Sequence, residues 1–321
     1  MTLTRASSSN ISLFFNVLGL KKLIATCYAG SPIAQRQLSL FDTETPTPNR
    51  KPYCAVIECM KDYNGNGRID ILDAEYVLQH GVGGSLRGLH GDGDFRSPEC
   101  VELLKEANIV ATNPPFSLFR EFVALMMKHD KKFIIIGSKN AITYKEIFPL
   151  IMQNKLWLGV GFNGGNARFR IPTYDPEKYS QGVYDPDSGL VTFRNVCWFT
   201  NLAHRRYNET MILVMSYKKD PSKYPHYDNY DAIEVSKTVE IPYDYDGIMG
   251  VPVTFMDKYN PKQFEIVGIT QRDSPLKTKV YTRDDAPKFA DLNARATIRD
   301  KDGRLRSTYA RLLIRKIADF I

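Results

Sequence analysis

Between residues 100 and 162 the chain alternates apolar runs with amphipathic ones, and this alternation constrains the fold more than any other feature. CVELLKEA (100–107) has helical periodicity, and NIVATNPPF (108–116) is an apolar strand that runs into a sharp turn. SLFREFVALMMKHD (117–130) places Leu118, Phe119, Phe122, Leu125 and Met126 on one helical face. KKFIIIGS (131–138) reads as a strand buried on both faces, ITYKEIFPLIMQNK (142–155) as a helix and LWLGVGF (156–162) as another strand. Helices and strands that alternate every 10–15 residues or so describe βαβ units around a parallel sheet. The expected class is α/β, over roughly residues 20–200.

The flanks are less regular. Ile11, Phe14, Phe15, Leu18 and Leu20 suit a short amphipathic helix over 11–20, followed by strand candidates KKLIATCY (21–28) and PYCAVIECM (52–60). FDTETPTPNRKP (41–52) has the composition of a loop, and HGVGGSLRGLHGDGDF (80–95) reads as Gly-rich and irregular, so an insertion loop is expected near 60–90. Beyond about 170, stretches rich in Tyr, Asp, Pro and Gly are broken by short strands such as VTFRNVCWFTNL, which gives a mixed C-terminal region. The composition therefore suggests a core over 1–205 and a basic C-terminal region over 206–321.

A chain of 321 residues with 43% apolar and 25% charged side chains is neither disordered nor fibrous. No segment approaches the roughly 20 apolar residues of a membrane helix. The five cysteines, Cys27, Cys54, Cys59, Cys100 and Cys197, have neither CxxC nor His-paired spacing, as expected of a reduced, cytoplasmic protein. ISLFFNVLGL lacks the cleavage site of an export signal. The net charge is +7, and from Arg272 onward 13 Lys+Arg face 7 Asp+Glu, a net of +6. Such a segment suits a polyanion, with Arg299, Arg304, Arg306, Arg311 and Arg315 as candidate phosphate contacts; a solvated helical face would look the same.

Asn113-Pro114-Pro115-Phe116 closes one strand and opens a helix, the junction at which ligands bind in open α/β sheets. The residue types suit methyl transfer to an amino nitrogen. The amine of adenine is a poor nucleophile because its lone pair is delocalised into the ring. The Asn113 side-chain oxygen and the Pro114 carbonyl are acceptors that can hold such an amine by its hydrogens. Two prolines fix the backbone, and Phe116 offers a plane on which an extruded base can stack.

The tetrapeptide is of the [DNS]-PP-[YFW] type. Together with GDGDFRSPEC (91–100), NVCWFTNL (195–202) and GIMGVPVTFMDKYNPKQFEIVG (247–268), it resembles the EcoRI-type adenine-specific DNA methyltransferases over most of residues 17–321. The resemblance implies a Rossmann-like S-adenosylmethionine-dependent methyltransferase sheet with helices on both faces. It implies direct methyl transfer to a flipped adenine of double-stranded DNA, at a flipping cost of a few kcal/mol. Asn113, Pro114, Pro115 and Phe116 would be the target-adenine residues, and Asp94 and Phe95 would meet the cofactor's adenine ring. A cognate restriction endonuclease would be the partner system. Two alternatives stay open: a non-catalytic DNA-binding remnant, or a methyltransferase for RNA or protein glutamine. The resemblance also places a cofactor motif on a strand ahead of residue 21, where MTLTRASSSNISLFFNVLGL carries neither an apolar strand nor a glycine loop, so that strand is expected to be missing.

One further pattern competes for attention. Asp62, Asn64, Asn66, Asp70 and Asp73 fall at positions 1, 3, 5, 9 and 12 of an EF-hand loop, with Gly67 at position 6 and the carbonyl of Arg68 at position 7. A structural Ca2+ clip is one reading, and a polar turn serving backbone geometry is the other. His80, His90, His129, His204 and His226 share no ligand spacing, Trp157 and Trp198 read as core, and Phe193 reads as sheet packing or a second stacking face.

Overall fold

The computed structural model describes residues 15, 19–29, 52–161, 167–170, 183–286 and 288–317. Most of the helix expected over 11–20, almost all of the loop over 41–52 and the Tyr-rich stretch 171–182 lie outside the described residues. By its contacts the chain forms two compact units, one of residues up to Asn113 with Glu121–Phe133, the other of Pro114–Arg120 with Ile134 onward. This division cuts the chain elsewhere than the compositional boundary at 205/206.

In the first unit, β1 (Leu23–Cys27), β2 (Tyr53–Ile57) and β3 (Gly84–Gly88) form an antiparallel sheet in the order β1-β2-β3. The registers run from Leu23↔Ile57 to Cys27↔Tyr53, and from Tyr53↔Gly88 to Ile57↔Gly84. Helix α1 (Ile71–His80) covers one face through Ala74, Val77 and Leu78, which pack on Leu23, Ala25, Ala55 and Ile57. Cys54, Leu89 and Cys100 make a second small core, Cys100 lying on α2 (Pro98–Glu106), whose N-cap Ser97 accepts the Cys100 N–H. Two sequence expectations change here. The Gly-rich stretch contains β3 because two of its glycines lie in the strand itself and leave the backbone free to pair. These strands pair antiparallel, not parallel as the alternation of elements suggested. β4 (Ile109–Thr112) ends this part of the chain.

Helix α3 (Phe119–Lys128) begins in the second unit and continues in the first, after a 3-10 turn at Phe116–Leu118. It leads into β5 (Lys132–Ser138), where burial alternates: Phe133, Ile135 and Gly137 are buried while Ile134, Ile136 and Ser138 are half-buried. The apolar run thus has one inner face, not two. The helix expected over 142–155 shrinks to α4 (Phe148–Met152), with Pro149 in its first turn and a 3-10 segment at Lys139–Thr143 before it. β6 (Trp157–Leu158) follows, then β7 (Ala167–Arg170), β8 (Tyr184–Asp185), β9 (Leu190–Phe193) and β10 (Val196–Thr200). VTFRNVCWFTNL is split by Asn195, which sits at φ 57, so that β9 joins β7 and β8 while β10 inserts between β5 and β6. β10 is antiparallel to both, from Val196↔Ser138 to Thr200↔Ile134 and from Phe199↔Leu158 to Thr200↔Trp157. β5 and β6 therefore run parallel. Trp157 and Trp198 are half-buried rather than core.

The C-terminal region holds a second sheet, β11 (Ile233–Glu234), β12 (Met249–Pro252), β16 (Arg311–Lys316) and β13 (Phe264–Ile269), in that order across the sheet. Met249, Val251, Phe264, Ile266, Leu312, Leu313 and Ile314 fill its core. α5 (Phe289–Ala294) precedes a two-stranded ribbon of β14 (Thr297–Arg299) and β15 (Leu305–Ser307). Among the described residues no helix is long and apolar enough to cross a membrane.

Candidate active site

The Asn113–Phe116 turn is anchored from its C-terminal side. Phe119, one turn beyond it, is fully buried and packs on Phe199 of β10 with ring centroids 4.9 Å apart. Room for that ring comes from Gly137 of β5, where a Cβ would lie 2.5 Å from Phe119 Cε2. Arg120 lies over the Tyr144 ring at 5.7 Å and pairs with Glu146 at 3.7 Å. An aromatic residue opposite a glycine thus seats the start of α3 on the β5–β10 pair, and the turn is held where the strand β4 releases it.

The turn itself is open. Asn113, Pro115 and Phe116 are exposed, Phe116 at 45%, while Pro114 is buried. The carbonyl of Pro115 accepts the N–H of Leu118 at 3.0 Å; among the described residues no backbone N–H reaches the Pro114 carbonyl, and the Asn113 side chain has no hydrogen-bond partner. Two acceptors and an aromatic face therefore remain available to a ligand in four consecutive residues. Phe193 ends β9 opposite Ala167 of β7 and is 42% exposed.

Asp94 and Phe95 lie together in the first unit, and Arg96 organises both. Its guanidinium binds Asp94 Oδ1 at 3.0 Å and Oδ2 at 2.7 Å, reaches Glu121 at 2.6 Å and lies 5.4 Å from the Phe95 centroid. Hydrogen bonds from Arg96 hold the Asp94 carboxyl below the usual carboxylate range, so it is ionised at neutral pH. Phe95 meets Phe122 edge-on at 5.0 Å. Asp94 Oδ1 is filled by the Arg96 N–H and Nε, while Oδ2 accepts one bond and keeps a second lone pair that an exocyclic amine could use beside the half-buried Phe95 ring. Arg96 is legible in GDGDFR only as a charge. Which of several carboxylates a guanidinium will grip is decided by the fold.

The five cysteines are unpaired. Burial pushes the Cys197 thiol up to about 12, and at neutral pH it stays protonated and a poor nucleophile. Beside it, Lys139 is 7% exposed and forms a 2.6 Å ion pair with Asp257, two residues that no sequence motif singled out.

The EF-hand-like loop is corrected. Asp62 accepts the N–H groups of Asn66 and Gly67 at 3.1 and 2.7 Å, Asn64 accepts that of Asn66 at 3.0 Å, and Asn66 accepts that of Arg68 at 2.9 Å. Asp70 caps α1 through the Leu72 N–H, and Asp73 is fully buried, taking the N–H groups of Tyr63, Asn64 and Asp70. These oxygens already serve backbone donors, which makes the loop a helix-capping turn. Among the described residues no group of three or more His, Cys, Asp or Glu side chains is arranged to hold a metal ion, so Ca2+ is not supported.

The arginines divide as well. Arg311, half-buried, makes a bidentate pair with the buried Glu234, Nη2–Oε1 2.5 Å, which Tyr227 also joins; Arg299 binds Asp228 at 3.0 Å and Arg315 binds Glu265 at 2.7 Å. Arg311 is thus committed to an internal pair, whereas Arg299 and Arg315, each about half exposed, hold surface ion pairs that leave a phosphate contact as a proposal. Arg304, 80% exposed, has only Asp302 at 4.0 Å, and Arg306 is exposed without an acidic partner among the described residues.

Comparison with known proteins meets this geometry at residues 8–317, which match the family described as adenine-specific methyltransferase EcoRI. The chain belongs to that family. It is 40% identical to the type II methyltransferase M.EcoRI of Escherichia coli over 83% of this chain and 76% of that protein. It is 39% identical to the type II methyltransferase M.MgeORF184P of Mycoplasma genitalium, over 71% of this chain and 70% of that protein. M.MpnI of Mycoplasma pneumoniae is also 39% identical, over 61% of this chain and 63% of that protein. No solved structure matches. Membership makes the chain a DNA methyltransferase of the restriction-modification kind, with S-adenosylmethionine implied as methyl donor and DNA as substrate.

Proposed function

We propose that the chain methylates the exocyclic amine of adenine in double-stranded DNA, with the base flipped out and held by Asn113, Pro114 and Phe116. One observation carries this reading: among the described residues the Asn113 side chain and the Pro114 carbonyl are both without hydrogen-bond partners, beside an exposed aromatic ring. Asn113 Oδ1 and Pro114 O each accept one amine hydrogen, which favours the pyramidal nitrogen needed for attack and opposes the charge that develops on it. Phe116 stacks on the extruded ring, an interaction of roughly 1–3 kcal/mol. Pro115 fixes the backbone between them.

S-adenosylmethionine supplies the electrophilic methyl on a sulfonium, and Asp94 and Phe95 would hold its adenine ring by the exocyclic amine and one face. The amine nitrogen held by Asn113 and Pro114 would take the methyl and give up one of its protons to solvent. No cysteine takes part, in keeping with the protonated Cys197. The parallel strands β5 and β6 around the antiparallel β10 support reading the mixed sheet as part of a Rossmann-like methyltransferase sheet. Residues 206–321 would serve target recognition in a cytoplasmic enzyme paired with a cognate restriction endonuclease.

The deciding experiment incubates the purified protein with methyl-labelled S-adenosylmethionine and equal amounts of duplex DNA, RNA and a glutamine-bearing protein. Label in N6-methyladenine of DNA, lost in Asn113→Ala at unchanged folding, supports the reading. Label in RNA or protein instead, or undiminished transfer by Asn113→Ala, overturns it. DNA binding without any transfer would mark a non-catalytic remnant.

A further inference from the structure

The β14–β15 ribbon carries exposed cations at its tip and is anchored by a set of buried hydrogen bonds at its base. Asn229, fully buried, accepts the Thr297 N–H through Oδ1 at 2.8 Å and donates through Nδ2 to the Arg295 carbonyl at 2.9 Å. Asp228 donates its own N–H to Thr297 O at 2.8 Å, and its carboxylate gathers Arg299, Lys279 and the Tyr281 hydroxyl at 2.8–3.1 Å. On the return strand, Thr308 N–H bonds to Ala296 O at 2.8 Å. The base of the ribbon is therefore a rigid polar clamp.

The tip is built differently. Asp300 shapes the turn by accepting the N–H groups of Asp302 and Arg304 at 3.0 and 2.8 Å, and Gly303 sits at φ 75, a conformation that suits glycine. Around that turn Lys301, Asp302, Arg304 and Arg306 are exposed, and Tyr309 just beyond the ribbon is 86% exposed. Among the described residues these side chains make no hydrogen bond, and their one ion pair is Arg304 with Asp302 at 4.0 Å.

We propose that this ribbon is the sequence-reading element of the enzyme, entering the major groove of duplex DNA with Arg304 and Arg306 on base edges. The proposal rests on the DNA-methylating function put forward above. A two-stranded ribbon fits the major groove, about 12 Å wide, and an arginine fork matches the paired acceptors of a guanine edge there. The mixed charge of the tip favours base reading over phosphate clamping. Asp302 would be repelled by a backbone of phosphates, yet it accepts from the amino donors of cytosine and adenine that the major groove displays. A rigid base also fixes register, which reading requires and loose electrostatic attraction does not.

The test selects bound duplexes from a random pool and maps N6-methyladenine on plasmid DNA, for wild type, Arg304→Ala, Arg306→Ala and Arg306→Lys. Melting curves confirm that these exposed-site variants remain folded. Wild type is expected to enrich a motif, and each alanine variant to lose roughly tenfold or more of its preference at one position of that motif. Arg306→Lys, which keeps the charge but loses the fork, should lose the same preference while binding nearly as tightly. A uniform drop across all sequences, with the salt slope shallower by about one per arginine, would show phosphate contacts and overturn the proposal. An unchanged motif in the alanine variants, or no motif for wild type, would overturn it too. A motif bound by wild type but never methylated leaves the ribbon standing and refutes the catalytic reading instead.

Discussion

The Asp62–Asp73 loop and the Asn113–Phe116 turn are both polar turns that open a helix, and they differ in where their polar atoms are directed. In the loop, Asp62, Asn64, Asn66, Asp70 and Asp73 turn their oxygens inward onto backbone N–H groups. In the turn, Asn113 and the Pro114 carbonyl point at nothing among the described residues. By spacing alone the loop is the stronger motif. The lesson is physical: a polar group whose bonding capacity is already satisfied stabilises the fold, and one left open within a rigid frame is available for chemistry.

The sharpest break of this contrast is Asn113→Ala. Removing one of two acceptors aimed at developing charge should lower kcat by about 10²–10³-fold, with no change in urea midpoint; single-turnover methyl transfer and equilibrium unfolding read the two effects separately. Asp73→Ala should do the reverse. Three N–H groups lose their acceptor, which costs about 1–3 kcal/mol of stability in urea unfolding, while transfer by the folded fraction stays at the wild-type rate. A stable Asp73→Ala protein would mean the loop is not a capping device.

Phe116→Leu comes next in size. It keeps apolar bulk but removes the stacking plane, so the fluorescence of 2-aminopurine at the target position, which rises when the base leaves the stacked duplex, should rise further on binding the variant, and transfer should weaken by about tenfold. Equal fluorescence and rate in the variant would place the base elsewhere. The smallest expected effect is none: millimolar CaCl2 should leave the melting temperature unchanged. A rise with calcium would reopen the loop as an ion site and dissolve the contrast.

Much of this was legible in the sequence, and the boundary has a physical logic. The strand–turn–helix around Asn113 is local, written in the apolar run IVAT, two prolines and the periodicity of FREFVALMMK, and it appears as read. Burial of β5 was overread, because a run of isoleucines does not say that alternate members face a less crowded side. The pairing of Arg299, Arg311 and Arg315 was illegible for another reason: Asp228, Glu234 and Glu265 lie between 50 and 77 residues away in sequence. Charge totals locate a basic segment, and only tertiary structure says which cations are already matched. Of the five candidate arginines, Arg311 is committed to an internal pair, and Arg306 has no acidic partner among the described residues.

The packing of Phe119 against Gly137 ties two positions that are otherwise independent into a single choice of volume. With a Cβ at 137 falling 2.5 Å from Phe119 Cε2, Gly137→Ala alone must displace the ring, and with it the helix start that carries the turn. Phe119→Leu alone leaves a void against Phe199. Made together, the two changes exchange volume across the same contact, so the double variant should recover more than either single one. Positions 119 and 137 of this chain are therefore expected to tolerate change jointly, but not one at a time.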